Sequence, residues 1–179
     1  SENPAITGIT SVESCQSFFY LPNNLNVERM PQSHIGGIKE EDISKYHEYL
    51  EEGTIDYEQL LNNHGILVDD SAGILKQFCN YDVKLNDKIQ LETNTGQMLT
   101  FTVMGIVDWK NSDYSGFYFV IPQDYLKELK TNVSNFNSRL LIDSEDVKSA
   151  EKYIKEECSS LNNLVIESFS TSVEYMQLN

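Results

Sequence analysis

Residues Lys88 to Asp108 carry the strongest local constraint in the chain. Lys88 to Thr93 alternates polar and apolar residues, Asn94-Thr95-Gly96-Gln97 supplies turn residues, and Met98 to Asp108 returns as a long extended run. A period of two puts alternate side chains on opposite faces of a strand. A short Gly-containing link then makes the two strands antiparallel neighbours. The chain therefore contains a β-hairpin, and its other segments can be read by what they add to that sheet.

Those segments alternate between strands and helices. Val12 to Tyr20 is rich in aromatic and β-branched residues and reads as a strand ended by Leu21-Pro22-Asn23-Asn24. The polar stretch around Gly36-Gly37 reads as a connection between lobes. From Glu41, the residues Ile43, Tyr46, His47 and Leu50 fall at helical spacing, and Gly53 ends that helix. Tyr57, Leu60 and Leu61 mark a second, short helix, and Gly65 to Val68 reads as a short buried strand. Asp70-Ser71 offers an N-cap for a helix through Cys79 whose apolar stripe is Ile74, Leu75 and Phe78. Gly116 to Ile121 is a further strand, after which Pro122 opens a helix with Tyr125, Leu126 and Leu129 on its apolar face. The last third predicts strand–helix–strand: Arg139 to Ile142, Glu145 to Cys158 with Ser144 as N-cap, and Leu164 to Phe169. This is an α+β pattern.

Charge and cysteine usage narrow the function. At 179 residues the chain is long enough for one domain, or for a small domain carrying a second lobe. Its 13 Lys and Arg against 28 Asp and Glu leave a net charge of −15. Such a surface repels phosphate backbones and anionic headgroups, which excludes sequence-blind nucleic-acid binding. Cys15, Cys79 and Cys158 are too widely spaced for a CxxC motif or a disulfide framework, and Cys79 and Cys158 each close an apolar stripe, as small buried hydrophobes do. The longest apolar runs, Gly65 to Val68 and Phe117 to Ile121, fall far short of the roughly 20 residues a membrane span requires. The chain is accordingly either soluble or a stretch lying between membrane spans.

Catalytic and metal motifs are lacking. There is no GxSxG elbow, and His34, His47 and His64 sit beside no nucleophile motif. His47-Glu48 opens like HExxH, but Glu51 stands where the second metal-binding histidine would be. Asn111, Asp113, Ser115 and Gly116 imitate the start of a calcium loop, yet the closing position is Pro122 instead of a bidentate Glu. A looser cation site from Asp108, Asn111 and Asp113 is the remaining oxygen-ligand arrangement. Neither GxxxxGK[ST] nor GxGxxG occurs, so no nucleotide cofactor is expected. One charge run stands out. Lys39 to Glu58 holds Glu40, Glu41, Asp42, Glu48, Glu51, Glu52, Asp56 and Glu58 against Lys39 and Lys45. It reads as a solvated face, or as an electrostatic lure for a basic peptide or partner patch formed by Glu40, Glu41, Asp42, Glu48, Glu51 and Glu52.

One long segment goes beyond patterning. Ile66 to Val68, the step Lys84-Leu85-Asn86-Asp87-Lys88-Ile89, the strand Phe101-Thr102-Val103-Met104-Gly105-Ile106-Val107, and Val120-Ile121-Pro122 resemble the extracytoplasmic domain of MacB/FtsX-type ABC-transporter permeases of Gram-positive type. Asn86 stands where that family usually has Gly, a mild departure because Asn also tolerates the left-handed conformation of a turn. The acidic segment upstream and both flanks fit the same pattern.

The resemblance implies two lobes. A porter-like, membrane-proximal β-α-β lobe would be formed by both chain ends (1–36 and 133–179), and a small sabre-like α/β insertion with the hairpin by 37–132. It further implies a non-enzymatic domain on the extracellular side of the cell membrane, without cofactor, working with a cytoplasmic ATPase subunit through the membrane part of the permease and with a second permease copy. Its cargo or partner would be a peptide, a lipoprotein or an envelope enzyme. Two readings of other classes stand beside it: a secreted or surface-anchored binding module, and an acidic hydrolase that would betray itself by a deep pocket with paired carboxylates.

Overall fold

A computed structural model describes residues 6–23, 32–130 and 137–160. Eight strands and four helices follow one another: β1 (Ile6–Tyr20), β2 (Gln32–Ile38), β3 (Leu50–Gly53), α1 (Tyr57–Asn62), β4 (Gly65–Asp69), α2 (Ile74–Cys79), β5 (Lys88–Glu92), β6 (Met98–Val107), β7 (Phe119–Pro122), α3 (Gln123–Leu129), β8 (Asn137–Ser144) and α4 (Val147–Glu157). The chain divides into two compact units. One takes Ser1–Ser11 and Leu140–Asn179, the other Val12–Arg139. Among the described residues no helix is long and apolar enough to cross a membrane.

In the larger unit the strands run β2-β7-β4-β6-β5-β1, and β1 also pairs with β2, so the path closes on itself. Closure removes most free strand edges. The ring is mixed: β2–β7 and β4–β6 are parallel, while β1–β2, β1–β5, β4–β7 and β5–β6 are antiparallel. The hairpin predicted from the alternation forms as β5 and β6, in register from Lys88↔Thr102 to Glu92↔Met98. β6 is long enough to use one edge twice, pairing with β5 over its first half and with β3 over its second, while β4 takes the other edge.

The interior follows the alternation. Phe101 and Val103 of β6 point inward with Ile89 and Leu91 of β5, Ile66 and Val68 of β4, Phe119 and Ile121 of β7, Ile35 of β2, and Cys15 and Phe19 of β1. Every residue of β4 and β7 is buried, because α1 packs on both strands and α3 on β7 and β2. A strand covered on both faces reads as a continuous apolar run, which is what Gly65 to Val68 displays. Asn86 adopts φ 72, the left-handed conformation its turn requires.

Several local expectations are corrected. Gly36 and Gly37 lie inside β2, paired with β7, and connect no lobes. They are small for packing: a Cβ on Gly37 would meet Leu126 Cδ1 at 2.4 Å, and one on Gly36 would crowd Tyr114, Phe117 and Val120. The helix expected from Glu41 is a run of 3-10 turns, Glu40–Tyr49, and Leu50 already belongs to β3. Three residues per turn align Ile43, Tyr46 and Tyr49 and leave His47 exposed. In α2 only Leu75 is buried; Phe78 is 75% exposed and Cys79 half-buried. Helix α2 begins three residues later than the proposed cap, although Asp70 Oδ1 still accepts from Leu75 N–H at 3.0 Å. Asp146, not Ser144, caps α4 by accepting from Ser149 N–H at 3.1 Å, and Cys158 is half-buried after it. The strand predicted at Leu164 to Phe169 lies outside the described residues.

Gly105 sits where the pairing with β4 shifts register, and an added Cβ would lie 2.7 Å from Thr54 O and 2.7 Å from Leu67 Cδ2. A backbone oxygen cannot rotate away, so Gly105→Ala is expected to cost about 2–3 kcal/mol of overpacking. Gly96, at φ +85 in the hairpin turn, has open space around it. Gly96→Ala should therefore lose only the roughly 1 kcal/mol of a left-handed non-glycine. Urea midpoints of the two variants check the order; equal losses would contradict it.

Candidate functional site

The acidic run folds onto the larger unit as the 3-10 segment and β3. Glu40, Glu41, Glu48, Glu51 and Glu52 are all exposed. Asp42 is different: its side chain is 15% exposed and its carboxylate is paired with Lys45 Nζ at 2.9 Å. The structure thus displays five of the six acids singled out from the sequence and uses the sixth internally.

Beneath the acids lies a second apolar cluster, aromatic and distinct from the barrel interior. Tyr46 meets Tyr114 edge to face at 4.9 Å and Trp109 edge to face at 5.9 Å, while Trp109 and Tyr114 lie tilted at 37° with centroids 5.1 Å apart, with Tyr49 and Phe117 at the margins. Edge-to-face rings add attraction beyond buried area. Polar groups tether the cluster. Tyr46 Oη donates to Asp113 Oδ2 at 2.8 Å, Tyr114 Oη donates to the Gly37 carbonyl at 2.9 Å, and the backbone N–H of Trp109 donates to Asp69 Oδ2 at 3.2 Å, while the buried Trp109 Nε1–H has no partner among the described residues. Tyr49 O accepts from Asp108 N–H at 2.9 Å. The acidic face therefore rests on a pinned platform whose parts are far apart in the chain.

The loop residues proposed as cation ligands are spent in this scaffold. Asp113 accepts from Tyr46, Asp108 Oδ1 accepts from Lys110 N–H at 2.9 Å, and Asn111 turns the chain at φ 63. Among the described residues no group of three or more His, Cys, Asp or Glu is arranged to hold a metal. His34 and His47 are exposed, and His64 stacks on Tyr125 with centroids 4.9 Å apart. The depression along α4, lined by Lys148, Glu151, Lys152 and Lys155, is open and lacks the depth of a substrate pocket.

Burial and nearby carboxylates both disfavour phenolate. Burial pushes Tyr46 above its ordinary range, reinforced by the hydrogen bond to Asp113. Burial does the same for Tyr114, with Asp42 and Asp113 adding repulsion. Tyr57 is pushed up to about 12 by burial, then by Asp124 and Glu40. Sequence reasoning missed Asp113 and Asp124 as members of this surface because they come from a distant loop and from α3; the aromatic run around Trp109 was the available signal.

The comparisons with known proteins bear on the fold. No protein-family model matches the chain, and no curated protein matches it significantly. Solved structures do. The periplasmic region of MacB from Actinobacillus actinomycetemcomitans is 20% identical with a TM-score of 0.54, and the match covers 99% of this chain and 79% of that one. The extracellular domain of the noncanonic ABC-type transporter YknZ from Gram-positive bacteria is 13% identical with a TM-score of 0.51, covering 89% and 76%. The fold is that of a MacB-type extracytoplasmic domain. Within this MacB-type fold the acidic face occupies the elements between β2 and α1.

The shielded phenols stay neutral in the folded chain at pH values where unfolded tyrosine, near 10, already ionises. Their contribution to stability is whole below about pH 10 and is lost as pH rises above it. Spectrophotometric titration of the ten tyrosines should show Tyr46, Tyr57, Tyr81 and Tyr114 lagging most of the rest. Urea midpoints should fall between pH 9 and 11, and Tyr46→Phe with Tyr114→Phe should flatten that fall; an unchanged slope would assign it to other groups.

Proposed function

We propose that this chain is the extracytoplasmic domain of a MacB/FtsX-type ABC-transporter permease, a mechanical and binding module and not an enzyme. The observation that supports the reading most is the end-to-end match to the MacB periplasmic region, which leaves almost none of this chain outside the shared fold. In this reading both chain ends form the porter-like, membrane-proximal lobe and the middle of the chain is the sabre-like insertion. A separate cytoplasmic ATPase supplies the work. Its nucleotide cycle moves the membrane helices of two permease copies, and the paired extracytoplasmic domains follow, driving export, extraction or activation of an envelope partner.

The exposed acids have a role in the same reading. Glu40, Glu41, Glu48, Glu51 and Glu52, held on the aromatic platform, present a fixed negative surface to a basic segment of a peptide, lipoprotein or wall enzyme. A fixed surface loses less entropy on binding than a mobile acidic tail does.

Two measurements test this. Spin labels on paired domains in the full permease with its ATPase should report distances that change with nucleotide; unchanged distances would end the coupling proposal. For the surface, deca-lysine binding to Glu40→Gln/Glu51→Gln/Glu52→Gln should weaken about tenfold at low salt, roughly 1.4 kcal/mol. The control Glu145→Gln/Glu156→Gln/Glu157→Gln removes the same charge from the α4 region. Equal loss in both variants would reduce the effect to net charge.

A further inference from the structure

The ring of strands is not equally strong all round. β5–β6 and β4–β6 are each joined by five residue pairs, β1–β2 by five and β2–β7 by four. Two joints have only two pairs: β4–β7 and β1–β5. The first is extended by Asp69 N–H donating to Tyr118 O at 2.9 Å and is covered by α1 and α3. Among the described residues α1 and α3 make their main contacts with β2, β4 and β7, not with β1 or β5. After Phe19↔Leu91 and Tyr20↔Gln90, β1 turns its remaining pairing toward β2. The gap this leaves against β5 is bridged by Ser17 Oγ donating to Glu92 O at 2.8 Å. It is stopped by the end of α3, where the fully buried Leu129 accepts at its carbonyl from Asn94 N–H at 3.0 Å. Beyond the seam, Asn23 Nδ2 donates to the Cys79 and Asn80 carbonyls.

We propose that the barrel opens reversibly at the β1–β5 seam, ahead of global unfolding, and that this seam is its built-in yield point. Local opening draws on regions with few backbone bonds and side-chain plugs in place of long ladders. Opening frees the edges at Phe19–Tyr20 and Gln90–Leu91 together with the apolar lining between them, an acceptor for an added strand. The proposal stands independently of the permease reading.

Cys15 is a native reporter. It is 0% exposed, lies on β1 in the same apolar cluster as Phe19, Leu91 and Leu129, and its burial holds the thiol inert while the seam is closed. With Cys79→Ser and Cys158→Ser, Cys15 is the single thiol, and its reaction with DTNB can be followed across urea concentrations below the unfolding transition. The expected result is labelling without urea at least tenfold faster than global unfolding allows, with a shallow urea dependence that merges with the global slope near the transition. Val103→Cys in a background with the three native cysteines changed to Ser, on β6 and 0% exposed, should follow the global slope throughout. Ser17→Ala removes the bond across the seam and should raise the low-urea labelling of Cys15 about fivefold, the worth of one hydrogen bond. Labelling of Cys15 on the global slope down to zero urea would overturn the proposal. So would a low-urea rate unchanged by Ser17→Ala, because the opening would then lie elsewhere.

Discussion

The architecture depends on one strand serving two partners. β1 pairs with β2 through Ser14 to Phe18 and with β5 through Phe19 and Tyr20, and this switch turns an open sheet into a closed ring. Without it, β2 and β5 would be free edges, and the apolar faces of both would need other cover. With it, Cys15, Phe19, Ile35, Leu91 and Phe101 share one interior. Leu129 at the end of α3 belongs to the same buried cluster, and its carbonyl accepts from Asn94 N–H of the hairpin turn at 3.0 Å.

A second apolar cluster governs the surface. Tyr46, Trp109 and Tyr114 bring together the 3-10 segment, the loop after β6 and the Gly37 carbonyl of β2. The Tyr46 and Tyr114 hydroxyls and the Trp109 backbone amide are satisfied by Asp113, Gly37 and Asp69, whereas the buried Trp109 Nε1–H has no partner among the described residues. Like charges repel at short range, and a chain of this net charge would tend to splay so acidic a segment. The platform holds it in place, and the neutral state of its buried phenols spares the carboxylates further repulsion.

The two named solved structures that share the fold are extracytoplasmic regions, one of them of an ABC-type transporter. The described residues assemble no metal cluster, and the loop carboxylates that resembled ligands serve the aromatic scaffold.

Periodicity along the chain determined the elements whose partners are near in sequence. The β5–β6 hairpin, the buried run of β4, the apolar face of α3 and the left-handed turn at Asn86 were legible because alternation, helical spacing and turn chemistry are local properties. The acidic character of the 3-10 segment was legible for the same reason. Tertiary structure decided what depends on distant neighbours. Gly36-Gly37 reads as punctuation, yet it is a strand because Tyr114 and Leu126 need the room a side chain would take. The segment from Glu40 winds as 3-10 turns because Trp109, some sixty residues on, rewards the alignment of Tyr46 with Tyr49. Ring closure through β1 and the recruitment of Asp113 are likewise contacts across long loops. One-dimensional patterning reports which face of an element is apolar, whereas the partner that covers it is chosen only when the chain is packed.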